Sequence, residues 1–141
     1  LPAEDGIRDC TRSLVGSEMC IRDSFKEIND EYGHLVGDEV LKQVAEVVQR
    51  ANRNADIFAR YGGEEFIILA PSTDIAGARI HAERLRKDIE NHQFSDINKL
   101  TCSFGIAEYK ADADDVPSLF KRADTALYNA KNLGRNRVEA G

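Results

Sequence analysis

The stretch "DIFARYGGEEFIILA", residues 56 to 70, constrains the fold more than any other part of the chain. Two β-rich runs flank Gly62-Gly63, a dipeptide that accepts the positive φ angles of a tight turn, so the stretch predicts an antiparallel hairpin. A hairpin commits the chain to a sheet, and the rest of the sequence must cover it. "GDEVLKQVAEVVQRAN" places Val40, Leu41, Val44, Ala45 and Val48 at helical spacing, with polar residues opposite. Beyond Pro71, Ile75, Ala78, Ala82, Leu85 and Ile89 recur three or four apart, predicting a second helix over 74–91. "LTCSFGIAEY" at 100–109 reads as a strand. A last helix starts near Pro117, carries Leu119, Ala123, Leu127 and Ala130 inward and stops at Gly134. "NRVEA" then fits a closing strand. Helix, hairpin, helix, strand, helix and strand from residue 25 onward predict an α+β sandwich, with helices covering a central, mostly antiparallel sheet.

With 141 residues the chain suits one domain with one core. Its longest apolar run, "FIILA", is strand-sized, too short to span a bilayer, and no signal peptide opens the sequence, so the expected location is the cytoplasm, without membrane contact. The net charge of −6 argues against gripping long nucleic acid, which needs a basic face to neutralise phosphates. A small nucleotide needs only a few local cations. Cys10, Cys20 and Cys102 form neither a zinc-ligand spacing nor a disulfide framework and read as ordinary thiols.

Residues 1–24 are the poorest in pattern, with "IRD" at 7–9 echoed at 21–23. Several polar residues farther on admit two readings. Glu64 and Glu65 beside a turn are hard oxygen donors that suit Mg²⁺ together with substrate phosphates; alone, they read as solvated turn residues. Taken alone, Asp38 reads as a helix N-cap and Asn29 as a polar residue near a helix end. Lys131 and Arg135 read as cations complementing a helix C-terminus. The Arg53-x-x-Asp56 pair is of a kind common at helix ends.

Together, "FKEINDEYGHLVGDEVL", "RYGGEEF", "AERLR", "SFGIAEY" and "RADTALYNAKNLGRNRV", in this order over residues 23–138, resemble the GGDEF family of diguanylate cyclases in its GGEEF variant. The resemblance implies a nucleotidyl-cyclase sheet with a βααββαβ-type core. It implies condensation of two GTP into cyclic di-GMP with release of pyrophosphate, in a homodimer that brings two loaded subunits face to face, with Mg²⁺ or Mn²⁺. Glu64 then matches the metal ligand and proton acceptor, Glu65 and Asp23 further metal ligands, and Lys26 a catalytic phosphate-binding cation. Asn29 and Asp38 match the guanine-reading pair and His34 a substrate-side position. Gly62 and Gly63 let backbone approach the nucleotide, and Lys131 and Arg135 match phosphate-binding cations. Arg53, Asp56 and Arg84 match an inhibitory site for the product.

One departure matters. The family reads D-x-D-x-F-K before its first helix, and here the first acid is replaced by Ile21, which cannot ligate a cation. Residues 1–22 also lack the apolar strand expected ahead of that motif. They read as a non-family segment, introduced from outside the gene or by faulty assembly, with the GGDEF domain at 23–141. Two functions follow as expectations: a diguanylate cyclase impaired at Ile21, or a catalytically weak module that binds GTP or senses cyclic di-GMP.

Overall fold

In the computed structural model, the structure describes residues 13–19, 28–60 and 65–141. Five strands form one sheet in the order β2-β3-β1-β4-β5, where β1 is Ser13–Met19, β2 Ile57–Arg60, β3 Glu65–Ala70, β4 Cys102–Glu108 and β5 Val138–Ala140. Three long helices cover it: α1 His34–Ala51, α2 Ile75–Asn91 and α3 Val116–Asn132. A further helical turn at 28–32 leads into α1. All pairings are antiparallel except that of β4 with β5.

The hairpin forms as its sequence requires, with Ile57 opposite Leu69 and Arg60 opposite Phe66. Along β3, Phe66, Ile68 and Ala70 are buried while the residues between them are half-buried, the period of two that separates a sheet's faces. Phe66 and Ile68 join Phe104 and Ile106 of β4 in the main core, closed by Val40, Val44 and Val48 of α1 and Ala82, Leu85 and Ile89 of α2. Each such large side chain contributes about 1.5–3 kcal/mol when fully buried. The other face carries Ala107 against Leu119 and Ala123 of α3, with Ile67 and Leu69 packed around them. Because helices lie on both sides, β4 is buried from Cys102 through Ala107.

Local capping sets the helix starts. Asp74 accepts from Gly77 N at 2.8 Å ahead of α2. Asp115 and Ser118 form a reciprocal capping box ahead of α3, with a proline in its first turn. Beyond α3, Gly134 (φ 121), Arg135 (φ 65) and Asn136 (φ 48) reverse the chain into β5.

Two expectations need correction. A strand does precede the D-x-D-like motif: Ser13–Met19 is hydrogen-bonded on both sides, to β3 from Ser13↔Ala70 to Glu18↔Glu65 and to β4 from Ser13↔Glu108 to Met19↔Cys102. Its pairing comes from two neighbours that each offer a complementary edge, which overrides a run containing a glycine, two serines and a glutamate. Asp38 is no N-cap either. Gly33, at φ 88, precedes a helix that starts at His34, which puts Asp38 in its second turn.

Candidate functional site

The residues expected to bind substrate enter from four places. Asn29 lies on the turn at 28–32, His34 opens α1, Asp38 follows one turn later and Glu65 begins β3, while Lys131 and Arg135 flank the end of α3. Asp23, Lys26, Gly62, Gly63 and Glu64 lie outside the described residues, as does Ile21. Among the described residues, no three His, Cys, Asp or Glu side chains come together as a metal site.

Asn29 carries the most informative single atom. Its Oδ1 is buried and has no hydrogen-bond partner among the described residues. Buried polar atoms are nearly always paired, because stripping one of water without replacement costs about 1–3 kcal/mol. An acceptor left open beside a nucleotide motif suits a donor from a ligand.

Asp38 stands exposed at a cleft of about 540 Å³ between α1 and the hairpin, lined also by Leu41, Lys42, Phe58 and Phe66. The two phenylalanine rings stack with centroids 5.1 Å apart and planes 21° from parallel. A carboxylate above an aromatic wall can accept two adjacent donors from a flat heterocycle while the rings cover its face. Asn29, His34, Lys131 and Arg135 do not line this cleft.

A second cluster is fully assembled. Asp56 has a side chain only 1% exposed, and Arg53 folds back onto it. The Arg53 backbone N donates to Asp56 Oδ2 at 2.9 Å, and its Nη2 donates to Asp56 Oδ1 at 3.0 Å. The same Nη2 reaches Pro71 O at 3.0 Å and Thr73 Oγ1 at 2.7 Å. From α2, His81 Nε2 lies 3.0 Å from Asn52 Oδ1 and 3.9 Å from Asp56 Oδ2. An amide oxygen can only accept, so Nε2 carries the proton. Burial lowers the His81 pKa from its ordinary value; Asp56 opposes that, and the cations Arg53 and Arg84 add to it. The imidazole is thus held neutral between a carboxylate and two guanidiniums. Arg84, one turn beyond His81, is exposed. Asn52, His81 and Thr73 were not anticipated from the sequence, although His81 at three residues before Arg84 shares its helix face.

A family model described as "Diguanylate cyclase, GGDEF domain" matches residues 7–137. The chain belongs to the GGDEF domain family. It is 46% identical over 119 residues to diguanylate cyclase A of Treponema denticola, covering 82% of this chain and 32% of that protein. To diguanylate cyclase VdcA of Vibrio cholerae it is 44% identical over 122 residues, covering 82% and 36%. The GGDEF domain here therefore spans about a third of the length of these curated relatives. Among solved structures, it superposes with a TM-score of 0.85 and 33% identity on the active GGEEF domain of a diguanylate cyclase from Vibrio cholerae, covering 98% of this chain and 87% of the other. The GGDEF domain of DgcB from Caulobacter crescentus, solved in complex with c-di-GMP, matches with a TM-score of 0.84 and 35% identity over 98% and 81%. Among the described residues, no helix is long and apolar enough to cross a membrane.

Proposed function

We propose that this GGDEF domain is the catalytic part of a diguanylate cyclase, condensing two GTP into cyclic di-GMP and two pyrophosphates in a homodimer in the cytoplasm. Each 3′-hydroxyl attacks the α-phosphate of the facing GTP; a P–O bond forms to that oxygen and the bond to pyrophosphate breaks. The observation that carries the reading is the open, buried acceptor of Asn29. It fits a guanine N–H, and the Asp38 carboxylate fits the paired N1–H and amino donors. His34, the first residue of α1, takes a substrate-side role in this reading. Lys26, Lys131 and Arg135 supply charge along the triphosphate, and Gly62 and Gly63 allow close backbone approach.

By their chemistry, Asp23, Glu64 and Glu65 would each offer oxygen donors that fit a hard divalent cation, Mg²⁺ or Mn²⁺, whereas Ile21 offers no donor. When bound, that cation stabilises charge at the α-phosphate. In this reading Glu64 takes the 3′-hydroxyl proton. With Ile21 in place of an acid, turnover is expected to be low. Residues 1–22 are read as foreign to the gene, with the strand at Ser13–Met19 filling the position a family strand would take. Its composition supports that reading, since a strand paired on both edges at the centre of a sheet is ordinarily rich in β-branched apolar residues.

The intact cluster at Arg53 and Asp56 favours a second role, product feedback. There Arg53 and Arg84 take a phosphate or guanine edge and Asp56 takes guanine donors. If the chain does not turn over, this site still makes it a cyclic di-GMP sensor module.

The test is GTP with Mg²⁺ or Mn²⁺ and product analysis, repeated on Ile21→Asp. Turnover should rise at least tenfold in the variant; an unchanged rate would refute the account of the defect. Failure of both proteins to bind GTP would refute the cyclase reading.

A further inference from the structure

Past the end of α3 the backbone takes a costly course. Gly134 (φ 121), Arg135 (φ 65) and Asn136 (φ 48) lie in succession in the left-handed region. Glycine enters that region freely and asparagine more readily than most residues, but an arginine has no local reason to be there. A residue held in such a conformation persists only where its surroundings over-determine it, and such residues gather at functional sites. Arg135 is also one of the cations assigned above to the triphosphate.

Two anchors enclose it. On one side, Arg135 N donates to Ala130 O at 3.0 Å, fixing its amide to the last turn of α3. On the other, Asn136 is gripped from three directions. Its backbone N donates to Ser103 Oγ of β4 at 3.2 Å, Arg86 Nη1 donates to its Oδ1 at 3.1 Å, and its Nδ2 donates to Glu90 Oε2. Arg86 and Glu90 stand one turn apart on α2, and Arg86 is itself held by Glu83 at 3.0 Å. A side-chain amide serves both arms at once, because its oxygen accepts from a cation while its nitrogen donates to a carboxylate. An aspartate would meet Glu90 with like charge. The residues that follow are pinned as well: Arg137 O accepts from Phe104 N at 2.9 Å, and Val138 O from Arg79 at 3.3 Å.

We propose that Asn136, held by Arg86 and Glu90, is a positioning residue: it locks the left-handed turn that sets where the Arg135 side chain leaves the backbone, and so its reach, with Lys131, for the triphosphate. In this role none of the three touches substrate. The inference rests on the reading of Arg135 above and extends it to side chains on α2, an element that the substrate reading does not otherwise use. A guanidinium recognises phosphate oxygens through a planar fork, so its contribution depends on the direction from which it arrives. A purely structural role for the clamp, tying α2 to the start of β5, would affect stability and leave ligand discrimination alone.

The test compares calorimetric binding of two ligands to the whole chain and its variants, with thermal unfolding of each. One ligand is a GTP analogue with an α,β-methylene bridge, which cannot release pyrophosphate; the other is GMP, which lacks the β- and γ-phosphates. Asn136→Gly leaves the backbone free to hold φ 48 but deletes both arms, and Asn136→Asp repels Glu90. Each should weaken the analogue about tenfold and leave GMP within about twofold of the parent, the loss expected for one charge-assisted contact. Adding Glu90→Gln to Asn136→Asp restores a donor opposite the carboxylate and should return analogue affinity to within about threefold of the parent. Parental analogue affinity in Asn136→Gly, with a lower melting temperature, makes the clamp purely structural and refutes the proposal. Equal loss of both ligands refutes it too, as does a double variant that binds no tighter than Asn136→Asp. Should the Asn136 variants fail to fold, Glu90→Ala decides: it removes one arm and should weaken the analogue about threefold with GMP unchanged, and parental affinity refutes the proposal. Arg135→Ala tests the underlying reading separately. If it binds the analogue like the parent, the triphosphate role of Arg135 falls and the proposal with it; if it loses the analogue while Asn136→Gly does not, only the clamp is refuted.

Discussion

Gly105→Ala should be the most damaging single-atom-scale change in the domain. Helix α3 lies directly on β4 at this residue, and a Cβ built there would stand 2.2 Å from Ala123 O, 2.4 Å from Leu127 N and 2.9 Å from Leu127 Cα. All three are backbone atoms, so no rotamer change relieves the overlap; the helix must retreat or β4 must bend. Overpacking a close-packed interior costs about 1–3 kcal/mol, and a clash with helix backbone places this substitution near the upper end, about 3 kcal/mol. For a chain of this size, with an unfolding entropy of about 2.1 cal/mol/K per residue, that corresponds to a loss of roughly 10 °C in Tm. Gly77→Ala is the internal control. Its Cβ would meet only side-chain atoms of Thr73 and Asp74, at 3.0 and 3.3 Å, and stability should change by less than about 1 kcal/mol. Thermal and urea unfolding of both variants decide the matter. A Gly105→Ala protein that melts within 2 °C of the parent would refute the close approach of α3 to β4. Because Lys131 and Arg135 flank the far end of α3, the same variant should also weaken GTP binding.

Protonation of His81 is disfavoured in the fold, first by burial. The unfolded chain therefore takes up the proton first, so this residue adds no pH dependence above about pH 6.5 and stability falls as pH drops below it; His81→Gln should flatten that slope between pH 7 and 5 in denaturation experiments. Asp114 loses stability in a more acidic window. Burial raises its pKa, but hydrogen bonds from Lys110 N, Arg122 and Ser118 outweigh this and set it below the ordinary carboxylate value, so its contribution is present above about pH 4 and is lost as pH falls through the lowered value. Arg122 also donates to Glu108 O at 2.8 Å, tying α3 to the end of β4. Replacing it in Arg122→Ala should cost about 2 kcal/mol in urea unfolding, and an unchanged midpoint would show that Asp114 finds water instead.

Where periodicity was strong, structure could be read directly. The Gly-Gly hairpin and the apolar stripes of the helices are local signals, and Val40, Leu85 and Leu119 all point into cores as their spacing required. The strand Ser13–Met19 was illegible for the opposite reason: nothing within it calls for extension, and its pairing is imposed by β3 and β4. The N-cap reading of Asp38, taken alone, fails because Gly33, free to adopt φ 88, starts the helix five residues sooner. In the polar cluster, Arg53 and Asp56 are neighbours in sequence and could be paired on paper. Asn52 and His81 meet only after α2 folds across α1, a contact that no local pattern encodes.

The position of β1 has a consequence for how the domain is made. Of the five described strands, the earliest in sequence is the middle strand of the sheet, and its two partners come from opposite halves of the chain. At roughly 5–20 residues per second, β4 emerges several seconds after β1. Until then β1 can pair with β3 alone, and its other edge carries unpaired backbone groups open to strands of other chains. β1 is the keystone that joins β2 and β3 to β4 and β5, whatever its origin. A chain shortened past residue 19 should therefore accumulate as aggregate during expression, with the parent remaining dispersed at the same level of synthesis.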